Sequence, residues 1–85
     1  VASASLDDWA GQPGEFRSCQ LASPVWQLYG LKGLVGDAFP PPDAPLQEGC
    51  IGYHLRTGKH DLTLYDWERY MDFADRHLSS SATLR

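Results

Sequence analysis

Basic residues, cysteines and long apolar runs are all scarce in this sequence of 85 residues. Seven Lys and Arg stand against eleven Asp and Glu, for a formal net charge of −4, and the bases form no stripe. A nucleic-acid surface neutralises phosphates with clustered cations, so none is expected. Nowhere do apolar residues approach the roughly 18 in succession that a membrane-spanning helix needs, and no such helix is expected either. A secretory leader is not visible. The chain starts at Val1 without Met, so a processed product or a piece of something longer is the expectation. Cys19 and Cys50 are too few for a disulfide-stapled scaffold; one disulfide and two buried thiols both stay open. Zinc is poorly supported and no metal is expected, because the two Cys and three His contain no C-x2-C or H-x3-H pair. His54 and His60, six apart, would share one side of an extended strand, and satisfied or solvated histidines are the preferred reading.

What the sequence does have is a globular composition: 42% hydrophobic residues, 21% charged, and ten aromatics (three Trp, four Tyr, three Phe). A chain this short buries only roughly 60–65% of its unfolded surface, so its core is marginal.

Val1-Ala2-Ser3-Ala4 reads as the end of a strand, and Asp7, Asp8, Gly11, Pro13 and Gly14 as the loop after it. Phe16, Cys19 and Gln20 predict a helix over about 14–22. Pro24 disrupts a helix interior, so a second short helix is predicted from Ser23-Pro24, with Ser23 as N-cap, Pro24 in the first turn and Gly30 closing it. Residues 31–49, with three glycines and four prolines, predict a long loop. Cys50-Ile51-Gly52-Tyr53-His54-Leu55-Arg56 predicts a strand. Thr63 and Asp66 form a variant capping box. Beyond it Trp67, Met71, Ala74 and Leu78 recur at helical spacing and predict an amphipathic helix, with Glu68, Arg69, Asp72, Asp75 and Arg76 on the opposite face and Trp67, Met71 and Phe73 in the core. Ser79-Ser80-Ser81 predicts a frayed polar tail.

Strand, helices, loop, strand, helix is the order of an α/β layer structure with parallel strands. Parallel strands are normally covered on both faces and flanked by others, so two of them do not complete a sheet. Either further strands precede Val1, or the chain borrows a sheet edge from another molecule.

In open α/β sheets ligands bind beyond the carboxyl ends of the strands. That rule selects the loops Asp7-Asp8-Trp9 and Gly58-Lys59-His60-Asp61. An acid on one loop and a His on its neighbour are two parts of a nucleophile–base–acid relay. The third part is missing. No G-x-S-x-G occurs, the serines lack a strand–turn–helix context flanked by glycine, and Cys19 and Cys50 fall in a helix and at a strand start. The 85 residues by themselves are not expected to be a hydrolase.

Val1-Ala2-Ser3-Ala4 … Asp7 … Trp9-Ala10 … Gly14-Glu15-Phe16 resembles the S-A-x-x-D-x-W-A-D-x-x-G-E-F segment of glucuronoyl esterases, carbohydrate esterase family 15. Ala22-Ser23-Pro24-Val25 … Leu28-Tyr29-Gly30 … Gly33-Leu34 is similar to the A-S-P-V-Y-x-L-x-G-x-x-G-L segment that follows it. Gly52-Tyr53-His54-Leu55-Arg56-Thr57-Gly58-Lys59-His60-Asp61 and the helix Tyr65-Asp66-Trp67 … Asp72-Phe73-Ala74-Asp75-Arg76-His77 resemble the family's G-Y-H-x-R-x-G-x-H-D motif and closing helix. The likeness runs from residue 1 to about 78. It implies an α/β-hydrolase with a three-layer sandwich and parallel sheet, of which this chain is the C-terminal β-α-β-α portion: a strand end, acid loop and helices over 1–30, a Pro/Gly loop over 31–49, the last strand, His loop and last helix over 50–78, and a tail over 79–85.

The same resemblance implies site residues. His60 would be the catalytic base. Asp7 would be the orienting acid, with Asp8 as the alternative, although some members use a Glu after an earlier strand. Trp9 would contact the glucuronate sugar. The family's W-A-D-P is Trp9-Ala10-Gly11-Gln12 here, with the proline moved to position 13. The implied substrate is a 4-O-methyl-glucuronoyl ester of glucuronoxylan or a lignin–carbohydrate link, cleaved through an acyl-enzyme by a serine outside this chain. The implied partner is the rest of the hydrolase domain, and the implied parent is secreted or periplasmic. No cofactor is implied. An acetylxylan-type esterase and an inactive tail acting as a binding module are the rival readings.

Each residue also has a plainer reading. Trp9 could anchor the core and Asp7 and Asp8 could solvate a loop. His54 reads as structural, Asp61 as a turn residue, and His77 as complementing the end of the last helix.

Overall fold

β1 (Ala2–Ala4) and β2 (His54–Arg56) pair in parallel, with Ala2 opposite His54, Ser3 opposite Leu55 and Ala4 opposite Arg56. These positions belong to a computed structural model that describes residues 1–83, and for 79–83 the backbone alone. A 3-10 turn (Asp8–Ala10) and helix α1 (Gln12–Gln27) follow β1, and helix α2 (Leu64–Thr83) follows β2. This is the parallel α/β order that the sequence predicts. Buried Phe16 and Cys19 of α1 meet Tyr53 and Leu55, with Leu34, Leu46 and Ile51 packed around them. Tyr53 is only 1% exposed, and its ring lies 5.2 Å from that of Phe16, edge to face. Such an aromatic pair contributes about 0.5–1.5 kcal/mol beyond the area it buries.

Helix α1 differs from the prediction. It begins at Gln12 and runs unbroken to Gln27, with Pro24 inside it. Ser23 is therefore no N-cap: its hydroxyl donates back to the Cys19 carbonyl (2.9 Å) and accepts the amide of Leu34 (2.9 Å). That second bond ties the helix to the chain beyond it, and this tertiary contact outweighs the local preference to stop at the proline. Gly30 does close the element. It is left-handed (φ 72°), and the bonds Gly30 N–H to Gln27 O and Leu31 N–H to Trp26 O make the paired pattern of a Schellman cap.

Residues 31–49 hold no helix or strand, but they are tied down. Leu34 bridges Ile51 in parallel, and Leu46 bridges Tyr53 in antiparallel fashion. Asp43 N–H also donates to Leu55 O at 2.7 Å. The segment thus supplies the backbone partners that β2 needs on the side away from β1. Its close passage past itself uses glycine: a Cβ on Gly49 would fall 1.8 Å from the Gly33 carbonyl oxygen.

Helix α2 also departs from its predicted face. Trp67 and Met71, expected in the core, are exposed, as is Leu78; Phe73, also expected there, is half-buried, as are Ala74, Tyr65 and Arg69, and Asp66 is buried. The apolar period was right, but the helix is rotated so that Asp66 turns toward β2. The helix also continues through the serines to Thr83, where a polar tail was expected; Leu84 and Arg85 lie outside the described residues. His77 consequently sits away from the last turn, its ring 4.3 Å from that of Phe73.

Candidate active site

The ladder between the two strands continues past their ends. Ser5 N–H donates to Arg56 O and Leu6 N–H to Gly58 O, each at 2.8 Å, and Gly58 N–H donates to the Ser5 hydroxyl at 3.0 Å. Asp7 then turns back, its amide donating to Ala4 O. The loops after both strands are stitched together in this way, which brings residues 53 positions apart into contact. His60 Nδ1 lies 2.5 Å from Asp7 Oδ2.

The chemistry of the pair follows from its surroundings. The Asp7 carboxylate is largely buried, whereas the His60 side chain is 87% exposed. Hydrogen bonding to Asp7, together with its negative charge, holds the His60 imidazole above its ordinary pKa. With Nδ1–H donating to the acid, Nε2 is the nitrogen left to accept a proton. A hollow of about 150 Å³ opens beside the pair, lined in part by Ser3, Asp7, Glu15, Arg56, His60 and Tyr70.

No hydrogen bond or ion pair joins Asp8 to His60; Asp8 is exposed, and its carbonyl accepts the Gly11 amide at the end of the 3-10 turn. Trp9 is 100% exposed, which removes the reading of it as a core anchor. Gly11, one of the positions where the Trp9 motif departs from the family pattern, adopts a left-handed conformation (φ 68°) that favours glycine. The next residue, Gln12, reaches back from α1 and donates to Ala4 O at 2.8 Å, fixing the acid loop against its strand.

Beneath this pair lies a buried cluster that the sequence did not reveal. Asp66 Oδ1 accepts from His54 Nε2 at 2.6 Å, and Oδ2 accepts from Arg56 Nε at 2.9 Å. Thr63 donates its amide and hydroxyl to the same Oδ2, so the capping box forms in altered shape, with the acid receiving both bonds. Burial alone would raise the Asp66 carboxyl, but the bonds from His54 and Thr63 and the charge of Arg56 bring it below its ordinary value. Burial pushes the His54 imidazole down against the opposing pull of Asp66, so the ring is held neutral, with Nε2–H donating. One signal could have exposed the cluster. His54 and Arg56 are two apart on a strand and so share a face, and two basic groups on a covered face require an acid opposite.

The shared-side reading of His54 and His60 does not hold. The strand ends at Arg56, and the two rings occupy separate environments, one buried under α2 and one exposed above Asp7. Both cysteines are free thiols; Cys19 is buried and Cys50 half-buried. Among the described serines near the pair, Ser3 donates to Glu15 and Ser5 accepts from Gly58, and neither bonds to His60.

No family model matches the sequence. Known proteins do. A carbohydrate esterase, MZ0003, from an unknown prokaryotic organism is 44% identical over 82 residues, which is 96% of this chain and 19% of that protein. A solved glucuronoyl esterase from Solibacter usitatus is 47% identical with a TM-score of 0.81, over 88% of this chain and 19% of its own. A promiscuous esterase of the same carbohydrate esterase family from a marine bacterial metagenome is 44% identical with a TM-score of 0.87, over 92% of this chain and 19% of its own. The chain thus spans about a fifth of the length of the proteins it matches. In sequence and in fold it is a relative of the glucuronoyl esterases of carbohydrate esterase family 15, an α/β-hydrolase piece that matches their C-terminal part.

Proposed function

We infer that this chain carries the base and the orienting acid of a serine-type carbohydrate esterase, within a single catalytic domain to which it contributes the C-terminal portion. The observation that carries this reading is the contact between His60 Nδ1 and Asp7 Oδ2 across the ends of two parallel strands. This is where open α/β sheets bind ligands, and it is the pairing a nucleophile–base–acid relay needs.

A serine from outside these residues attacks the ester carbonyl as His60 Nε2 takes its hydroxyl proton, and Asp7 stabilises the resulting imidazolium through Nδ1–H. His60 then delivers that proton to the departing alcohol, leaving the acyl group on the serine. In the second half His60 takes a proton from water, the resulting hydroxide displaces the serine, and the serine recovers its proton. Exposed Trp9, on the acid loop, offers an aromatic face to a sugar ring.

The glucuronoyl esterase relative supports a glucuronoyl ester as the substrate class; within that class the proposed substrate is a 4-O-methyl-glucuronoyl ester of glucuronoxylan or a lignin–carbohydrate link. Such polymers lie outside cells, so the parent is secreted or periplasmic. The promiscuity stated for the marine relative supports a wider range that includes acetylxylan-type esters. The deciding experiment uses the full reading frame that carries this chain. Hydrolysis of a glucuronate ester, lost in His60→Ala with the fold retained, is the expected result. A fully active His60→Ala protein overturns the reading.

A further inference from the structure

Arg56 is buried at the end of β2, and its guanidinium is almost fully committed. Nε donates to Asp66 Oδ2 at 2.9 Å, Nη1 to the Thr57 carbonyl at 3.1 Å, and Nη2 to the carbonyls of Lys59 (2.7 Å) and Asp61 (3.0 Å). Lys59 and Asp61 are the neighbours of His60 on either side. The exposed loop bearing His60 is therefore gripped from below, at the carbonyls of both flanking residues, by one rigid fork. Gly58 makes room for that grip, since a Cβ there would lie 2.7 Å from Nη1, and its positive φ (128°) also favours glycine.

We propose that Arg56 is the positioning residue for the proposed base: anchored by Asp66, it holds the carbonyls of the residues on either side of His60 and so sets the imidazole against Asp7. This rests on the esterase reading of His60. An exposed side chain on a glycine-containing loop has little packing to orient it. A planar guanidinium with five N–H groups in fixed directions can bind several carbonyls at once, whereas an ammonium on a flexible stem cannot reproduce that fork. Displacing a base by about 1 Å costs up to about 100-fold in rate, so the clamp is felt in turnover and hardly in binding.

The test compares unmodified protein, Arg56→Lys and His60→Ala, all in the full reading frame. Arg56→Lys keeps a cation beside Asp66 but loses the fork. The expected outcome is a kcat lower by about 10- to 100-fold with KM within about twofold. It also includes loss or broadening of the downfield Nδ1–H proton resonance of His60. A folded Arg56→Lys protein with unchanged kcat and an unchanged imidazole resonance overturns the proposal. His60→Ala separates the two claims: full activity there removes the esterase reading, and the imidazole resonance in Arg56→Lys then decides the positioning claim alone. Where Arg56→Lys does not fold, the unmodified protein decides. Resolved, slowly rotating Nη protons of Arg56 support the clamp, and a freely rotating guanidinium overturns it.

Discussion

His54 and Asp66 form a hydrogen bond of 2.6 Å with both side chains nearly out of water. Together with Arg56 they place one carboxylate between two basic groups beneath the candidate site, and the carboxylate is what makes the burial of both tolerable. Removing one partner from such a group costs about 3–5 kcal/mol, because a buried charge is left without its counter-charge. We expect Asp66→Ala to lower the thermal midpoint of the full protein far more than the exposed control Asp72→Ala. Equal melting curves would show that the cluster contributes nothing to stability.

The same cluster sets a pH dependence. His54 titrates lower in the folded chain than in the unfolded one, so the unfolded state takes up a proton first as the medium is acidified. Its contribution is complete above about pH 6.5, the ordinary histidine value, and is lost as pH falls through the depressed folded value. Asp66 is also depressed, so its contribution is present above about pH 4 and lost at still lower pH. Denaturant titrations at pH 8 and pH 5, run on the unmodified protein and on His54→Gln, should show that the substitution removes a loss of stability at pH 5 and so shifts the pH 5 to pH 8 difference in favour of pH 5.

His60 moves the opposite way. Its imidazole is raised by Asp7, so its link to stability is present below the ordinary histidine value and fades as pH rises through the folded one. For the proposed catalysis the consequence is an acid limb, because His60 as base is neutral only above its raised pKa. Asp7→Asn should shift the acid limb of kcat/KM to lower pH while reducing the rate at the plateau by about 10⁴-fold, as loss of the orienting acid does in serine hydrolases. An acid limb that stays in place after this substitution would show that another group controls it.

Trp9 offers a test of substrate contact free of folding effects. Because the indole is fully exposed, Trp9→Ala should change stability by no more than about 0.5 kcal/mol. We expect KM for a glucuronate ester to rise and kcat to stay close to that of the unmodified protein. An unchanged KM would remove Trp9 from the proposed sugar site.

Two glycines should respond with opposite signs. Gly49→Ala drives a methyl group into the Gly33 carbonyl and should destabilise by at least about 1–3 kcal/mol, as overpacking does. Gly14→Ala, in the first turn of α1 with open space around it, should stabilise by about 0.4–1 kcal/mol. Thermal midpoints of the two variants, measured side by side, check both signs.

The parts of the fold legible in the sequence were those governed by local rules. The parallel order of elements followed from alternating strand and helix signals, and the acid and histidine loops followed from the rule that ligands bind beyond strand ends. Local rules failed where a distant partner decided. Pro24 signals a helix end, yet Ser23 is bonded to Leu34 and the helix continues. The apolar repeat in α2 announced a helix but not which side would face β2, and a buried Asp66 turned the Trp67 stripe outward. Arg56 escaped notice because a basic residue at a strand end reads as solvated until the carbonyls it grips are seen. The site itself was legible as two loops; the fork that supports it was not.

The stitched loop ends have one more consequence. Since Leu6 donates to Gly58 and Ser5 to Arg56, the separation of Asp7 and His60 is carried by backbone amides continuous with the sheet. The exchange of those amide hydrogens with deuterated solvent should therefore report on the proposed relay: an opening that frees Leu6 or Gly58 releases the backbone that holds Asp7 and His60 together. A ligand at the proposed site that slows their exchange would hold Asp7 and His60 in register.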